Sequence, residues 1–158
     1  MTHTAPHPGL SHALITMLIA GSAATVAFDF YGQALSPLMG FPNLAPVPLA
    51  RQTLQTVLGT STEAAGQLLH YIAGMIVYPL GWMIGRKILH RVMPDLHWLI
   101  GAAAYGVGLW VFAIGFMASF VNGNPFFLGF TGITWVALVG HVLFALVAAL
   151  VIERRAEG

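Results

Sequence analysis

Four long apolar stretches constrain this chain more than any other feature of its sequence. They cover about residues 14–38, 66–85, 98–121 and 133–152, and a membrane-crossing helix needs roughly 20 mostly apolar residues. Only 7% of the residues are charged, whereas a soluble domain carries about 25%. The sequence therefore predicts an integral membrane protein in which residues 1–158 form a single transmembrane domain.

The spanning segments are predicted to be α-helices. Lipid offers no partner for open backbone groups, so helices and closed barrels are the structures that cross membranes, and the four runs lack the alternating pattern of barrel strands. We therefore expect an all-α bundle of four transmembrane helices. Pro79 interrupts the second span and frees the carbonyl of Met75, which predicts a kink. The two halves share an order of span, proline-containing loop and span with an early histidine, which suggests a parallel 2+2 internal repeat.

Basic residues are concentrated on one side of the predicted bundle. Four spans place both termini and the loop at about residues 86–97 on the same side, and the opposite side carries only Arg51. Because Lys and Arg remain in the cytoplasm, we predict that both termini are cytoplasmic. We also expect the first apolar run to be retained as a helix, because it continues to Leu38 and is longer than the core of a signal peptide. The basic residues on the shared side are Arg86, Lys87, Arg91, Arg154 and Arg155.

The two connections on the other side are unusually apolar. Pro48 is predicted to open a short helix over about residues 48–58, because its missing N–H suits a first helical turn, and this amphipathic helix is expected to lie on the membrane surface. Thr60 and Glu63 have the spacing of a capping box that would start the second span. The second connection is expected to cover the bundle or enter the bilayer edge. Its apolar residues are Phe126, Phe127, Leu128 and Phe130.

Three ionisable side chains, Asp29, His70 and His141, lie well inside the apolar runs. Such groups are costly in hydrocarbon, so each marks a candidate functional site. A helix rises about 1.5 Å per residue, which places all three in the outer half of the membrane at similar depth. Gln33 follows Asp29 by one turn and is expected to share its face. We predict an intramembrane polar cluster of Asp29, Gln33, His70 and His141.

Three functions are compatible with this cluster. The first is a non-enzymatic scaffold or accessory subunit of a larger membrane complex, in which the cluster holds the outer loops by hydrogen bonds. The second is a subunit that binds haem or a chlorophyll-type pigment through His70 and His141. A separation of the two histidines above about 15 Å would make even a bridging cofactor implausible. The third is a small transporter or proton-coupled protein that uses Asp29.

Several function classes are not favoured. We predict no catalytic residues and no enzyme, because the sequence has no nucleophile–base spacing, phosphate loop or His-x-x-x-His motif. The chain has no cysteine, which removes disulfides and cysteine metal sites, and the sequence does not assign a metal. With a net charge of +1 and no basic run, nucleic acid is not an expected partner. The expected partners are the lipid bilayer and other membrane-protein subunits.

Three segments carry a resemblance to known proteins. They combine an early histidine in the second and fourth spans with a Pro- and Gly-rich first loop, and they read GSAATVAFDFYGQALSPLMGFPN, LLHYIAGMIVYPLGW and GHVLFALVAAL. In these features the chain resembles small bacterial inner-membrane proteins of the YagU-like, four-span type. The resemblance implies a four-helix fold and a location in a bacterial inner membrane, and it implies no particular activity.

Overall fold

The computed structural model describes residues 9–59 and 61–156, which form helices and connecting loops without any β-strand. Four of the helices are long and apolar enough to cross a membrane. A shorter helix, α2 (Pro46–Leu58), lies in the first connection. The prediction of an all-α, four-helix membrane protein is confirmed. The long helices are α1 (Leu10–Leu38), α3 (Glu63–Val92), α4 (Trp98–Val121) and α5 (Gly132–Ala156).

Three of the long helices extend beyond the apolar runs that predicted them, α5 mainly by residues 153–156. Helix α1 begins at Leu10 rather than at residue 14, and α3 covers Glu63–Val92 rather than 66–85. The extension of α3 includes Arg86 and Arg91, which a helix accommodates once it leaves the hydrocarbon for the interface. Hydropathy therefore marks the part of each helix that lies in lipid, and it does not mark the end of the helical hydrogen bonding.

Three of the long helices widen locally into π-helical turns. These turns cover Tyr31–Leu35 in α1, Ala73–Val77 in α3 and Val111–Val121 in α4. In α3 the widened turn ends just before Pro79, which has no N–H to complete the regular α-helical pattern. The distortion predicted at Pro79 is therefore a wider turn, a feature that is frequent at functional sites.

Glycines allow the helices to approach closely. A Cβ atom on Gly21 of α1 would collide with the backbone of Met75 in α3, and a Cβ atom on Gly106 of α4 would lie 2.8 Å from the carbonyl oxygen of His141 in α5. Such contacts supply the packing energy that the hydrophobic effect cannot supply between helices in lipid. Helix α5 is the most enclosed of the four, because 50% of the residues in its most apolar stretch are buried. Helix α3 is the most peripheral, with 17% of the corresponding residues buried.

One end of the bundle, here called the basic end, brings together both ends of the described chain and the loop between α3 and α4. The ring of His12 donates a hydrogen bond to the carbonyl of Arg155 at 3.3 Å, and the guanidinium of Arg155 donates to Thr16 at 3.0 Å. Arg86 and Glu153 form an ion pair at 2.9 Å. These contacts attach α1 and α3 to the last turns of α5.

The opposite end, here called the loop end, contains α2 and the connection between α4 and α5. Helix α2 begins at Pro46 rather than at Pro48, and both prolines fit its first turn because that turn requires no N–H donors. The helix ends at Leu58, and the following C-cap residue, Gly59, adopts a φ of 71°. The amide of Gln52 donates to the carbonyl of Asn122 at 3.1 Å, and this bond joins the two connections.

The start of α3 differs from the predicted capping box. Thr60 lies outside the described residues, and the hydroxyl of Thr62 accepts a hydrogen bond from the N–H of Ala65 at 3.2 Å as the N-cap. Glu63 pairs with Arg51 of α2 at 3.0 Å. Helix α2 is therefore attached to α3 by an ion pair as well as by the short loop between them.

The connection between α4 and α5 contains four consecutive residues with positive φ. Only glycine adopts this conformation readily, and each other residue in it costs about 1–2 kcal/mol. The φ values are 47° at Phe127, 54° at Leu128, 68° at Gly129 and 52° at Phe130.

Polar contacts hold this left-handed turn on the bundle. The N–H of Phe127 donates to Ser119 at 2.9 Å, and Thr134 donates to the carbonyl of Phe127 at 2.6 Å. The ring of Phe127 lies against Gly115 and 4.6 Å from the ring of Trp110. The aromatic loop therefore covers the loop end of the bundle, which is one of the two arrangements predicted for it.

The two halves of the chain have different connections. A helix of 13 residues joins α1 to α3, whereas the left-handed turn joins α4 to α5. The parallel 2+2 repeat accordingly stays a prediction.

Candidate functional site

Asp29 of α1 and His70 of α3 form a hydrogen-bonded pair inside the bundle. The Nε2 atom of His70 lies 3.1 Å from each carboxylate oxygen of Asp29. The side chains are 13% exposed for His70 and 24% exposed for Asp29. Pairing of this kind is how ionisable groups are accommodated within a membrane span. Two residues of the predicted cluster are thus in direct contact.

His141 of α5 lies nearby but faces a different partner. It is 6% exposed, and its Nδ1 atom donates to the carbonyl of Ala137 at 2.7 Å. Because a carbonyl oxygen only accepts, the proton of the neutral ring lies on Nδ1, and Nε2 keeps a free lone pair.

The ring of Phe28 lies close to both histidines. Its centroid is 6.4 Å from that of His70 and 5.2 Å from that of His141. The sum of the two centroid distances is the largest possible distance between the two imidazole centroids. It is smaller than the separation of about 15 Å above which a bridging cofactor becomes implausible.

The structure does not bring Gln33 into the cluster. Its side chain is exposed, whereas Gly32 and Ser36 occupy the buried face of α1 at this level. The carbonyl of Gly32 accepts a hydrogen bond from the N–H of Leu44 at 2.9 Å. The first connection therefore packs against the neighbouring residue, and Gln33 is directed outward.

A cavity of about 590 Å³ lies beside the cluster, between the loop-end halves of α3 and α4 and beneath α2. Sites for small molecules typically measure about 300–1,000 Å³ and are mostly apolar. The lining is largely aliphatic and aromatic, and its polar residues are Thr25, Asn43, Thr53, His70 and His141. Its walls and roof include Leu49 and Thr53 of α2, Ala73 and Val77 of α3, and Ala113 and Met117 of α4.

The cavity opens toward the lipid. Ile72 and Val77 of α3 and Phe112 of α4 line it, and they are 40%, 52% and 47% exposed on the outside of the bundle. These apolar side chains lie along the edges of a gap between α3 and α4. The π-helical turns of both helices lie at this gap.

Thr25 is a site residue that the sequence analysis missed. It is 3% exposed, and its Oγ1 atom is buried without a hydrogen-bond partner among the described residues. A buried polar atom without a partner requires an explanation, such as a bound molecule. The sequence did contain a signal for Thr25. It lies four residues before Asp29, so the helix places its hydroxyl one turn from the carboxylate on the same face.

The histidine geometry bears on the predicted haem or pigment. His141 has the arrangement that metal-ligating histidines use, with one nitrogen bonded to a carbonyl and the other free. His70 differs, because its Nε2 atom is bonded to Asp29. The two histidines therefore do not present two free Nε2 atoms to a haem. Within residues 9–59 and 61–156, no group of three His, Asp or Glu side chains is arranged to hold a metal ion.

Comparison with known proteins identifies no relative. No protein-family model matches the chain, and no curated protein or solved structure matches it. The resemblance to YagU-like proteins therefore stays a prediction. The function has to be argued from the geometry of the cavity and its polar residues.

Proposed function

We propose that this multi-pass membrane protein binds an uncharged, mainly apolar small molecule in the cavity between α3 and α4. The cavity itself carries the proposal. Helical bundles pack densely, so a recess of about 590 Å³ between two helices, open to the lipid, offers a site for a lipid-soluble molecule.

The position of the polar atoms supports an uncharged molecule. His141 is nine residues into α5, which places it roughly 13 Å below the start of that helix at the loop end. Among the described residues, no Lys or Arg lines the cavity. A phosphate or carboxylate at this depth would lose its hydration without gaining a basic partner.

The lining also supports binding without chemical conversion. Aliphatic and aromatic side chains surround most of the cavity, and Asp29 and His70 are already bonded to each other. We therefore propose a non-enzymatic protein, acting as an accessory component that holds a lipid-soluble molecule for a larger membrane complex.

The transporter and haem alternatives have less support. Asp29 is held by His70, and the described parts of the four long helices contain no further Asp or Glu between the cavity and Glu153 at the basic end. His70 does not present a free Nε2 atom. Neither observation favours a proton path or a two-histidine haem.

The proposed location is a bacterial inner membrane with both termini in the cytoplasm. All but one of the six Lys and Arg residues belong to the basic end, the exception being Arg51 of α2. The positive-inside tendency supports this orientation.

Blocking the cavity tests the proposal. Ala113 of α4 lines the cavity, whereas Ala104 of the same helix is exposed on its outside. We expect Ala113→Trp to weaken the binding of decylbenzene by about tenfold or more, since the indole fills the space, while Ala104→Trp binds like the unmodified protein. Native mass spectrometry of the detergent-purified protein counts the bound molecules. Absence of binding to the unmodified protein, or equal binding by both variants, would contradict the proposal.

A further inference from the structure

Two polar side chains that line the cavity have unused hydrogen-bonding capacity. The hydroxyl of Thr25 has no partner among the described residues, and Nε2 of His141 has none either, since the hydrogen bond of that ring is made through Nδ1. Both residues line the cavity and are at most 6% exposed. They are polar residues in a mainly aliphatic and aromatic lining, which also includes Asn43, Thr53, His70 and Tyr78.

One aromatic ring connects the two residues. Phe28, three residues after Thr25 on α1, contacts the imidazole of His141 edge-on at a centroid distance of 5.2 Å and an interplanar angle of 76°. The aromatic ring of Phe28 therefore links the segment of α1 that carries Thr25 to the face of α5 that carries His141.

The chemistry of the two atoms restricts what can bind to both of them. Nε2 of a neutral His141 accepts a hydrogen bond, and the hydroxyl of Thr25 can donate one. The Oγ1 atom of Thr25 packs against Gly74, so a rotation about χ1 is needed to turn it toward the cavity. A hydroxyl group on the bound molecule then satisfies both residues, since it donates to the imidazole and accepts from the threonine. A ketone would leave the imidazole unpaired, and a hydrocarbon would leave both unpaired, at about 1–3 kcal/mol for each unsatisfied group.

We infer that the molecule bound in the cavity is a lipophilic alcohol or phenol whose hydroxyl bonds to Nε2 of His141 and to Oγ1 of Thr25. This inference rests on the proposed binding function. His70 also lines the cavity, and its N–H, which is bonded to Asp29, is not available to the hydroxyl.

A matched pair of molecules isolates the hydroxyl. 4-Decylphenol and decylbenzene differ only in that group, and the phenol is uncharged at neutral pH because its pKa is about 10. We expect the unmodified protein to bind 4-decylphenol about tenfold more tightly than decylbenzene, as measured by native mass spectrometry. His141→Phe keeps an aromatic ring but removes the acceptor, and Thr25→Val keeps the shape but removes the hydroxyl. Each variant is expected to reduce the preference below about threefold, whereas His90→Phe, at an exposed histidine outside the cavity, preserves it.

The outcomes separate this inference from the proposed function. If neither molecule binds, the proposed function is wrong. If both bind equally to the unmodified protein, the cavity binds apolar molecules but the inference about the hydroxyl is wrong. A preference that persists in both Thr25→Val and His141→Phe also overturns it. If His141→Phe does not elute as a folded protein in size-exclusion chromatography, Thr25→Val decides the question.

Discussion

Asp29 and His70 place a carboxylate and an imidazole in contact within a membrane span, where solvation is weak. Polar pairs between membrane helices contribute about 0.6 kcal/mol on average and up to about 1.7 kcal/mol. We expect a coupling free energy of about 1 kcal/mol between Asp29→Ala and His70→Ala in a double-mutant cycle, because each variant leaves the other side chain unpaired. Unfolding in mixed micelles with increasing dodecyl sulfate measures it.

The ion pair between Arg51 and Glu63 is the matched control for this cycle. Its side chains are 42% and 60% exposed, so water screens the interaction and its coupling is expected to be much smaller. Additive effects of the Asp29 and His70 substitutions would contradict the importance of their contact.

At the scale of single residues, the rise of a helix predicts how deep a residue lies in the membrane, but not which way its side chain points. The spacing of Asp29, His70 and His141 along their spans placed them at similar depth, and the structure brings Asp29 and His70 together. The one-turn relation of Gln33 to Asp29 did not predict that Gly32 would occupy the buried face at its level. The rotation of a helix about its axis depends on its neighbours, which one sequence does not specify.

The crossing of α1 and α3 depends on the absence of a side chain at Gly21. A Cβ atom there would overlap the backbone of Met75, whereas a Cβ atom at Gly108 of α4 would meet nothing within 4 Å. We therefore expect Gly21→Ala to lower the midpoint of dodecyl sulfate unfolding, because backbone atoms must separate. Gly108→Ala is expected to leave the midpoint unchanged or to raise it, since alanine favours the helix by about 0.8–1 kcal/mol. Equal effects of the two substitutions would show that the crossing is not tightly packed.

At the scale of helices and turns, hydropathy predicted the four spans because each needs an apolar run of fixed length. It could not predict the left-handed turn in the second connection. Gly129 is the one residue there that favours a positive φ, and its neighbours Phe127, Leu128 and Phe130 adopt the same conformation. Hydrogen bonds to the side chains of Ser119 and Thr134, in the helices on either side of the turn, hold this backbone in place.

The orientation of the whole molecule can be tested cleanly because the chain contains no cysteine. Thr56 of α2 is exposed at the loop end, and Asp95 is exposed at the basic end. In intact cells, a membrane-impermeant maleimide is expected to label Thr56→Cys but not Asp95→Cys, because the positive-inside tendency places the basic end in the cytoplasm. Permeabilised cells should label both variants. The reverse pattern in intact cells would show that the molecule is inserted the other way.

The gap between α3 and α4 has a consequence for how binding should be quantified. The residues along its edges are Ile72, Val77 and Phe112, and they face the acyl chains rather than water. A molecule that enters here comes from the bilayer, so occupancy follows its mole fraction among the lipids. Diluting a fixed amount of the molecule with additional lipid therefore empties the cavity, even when its total concentration in the sample does not change.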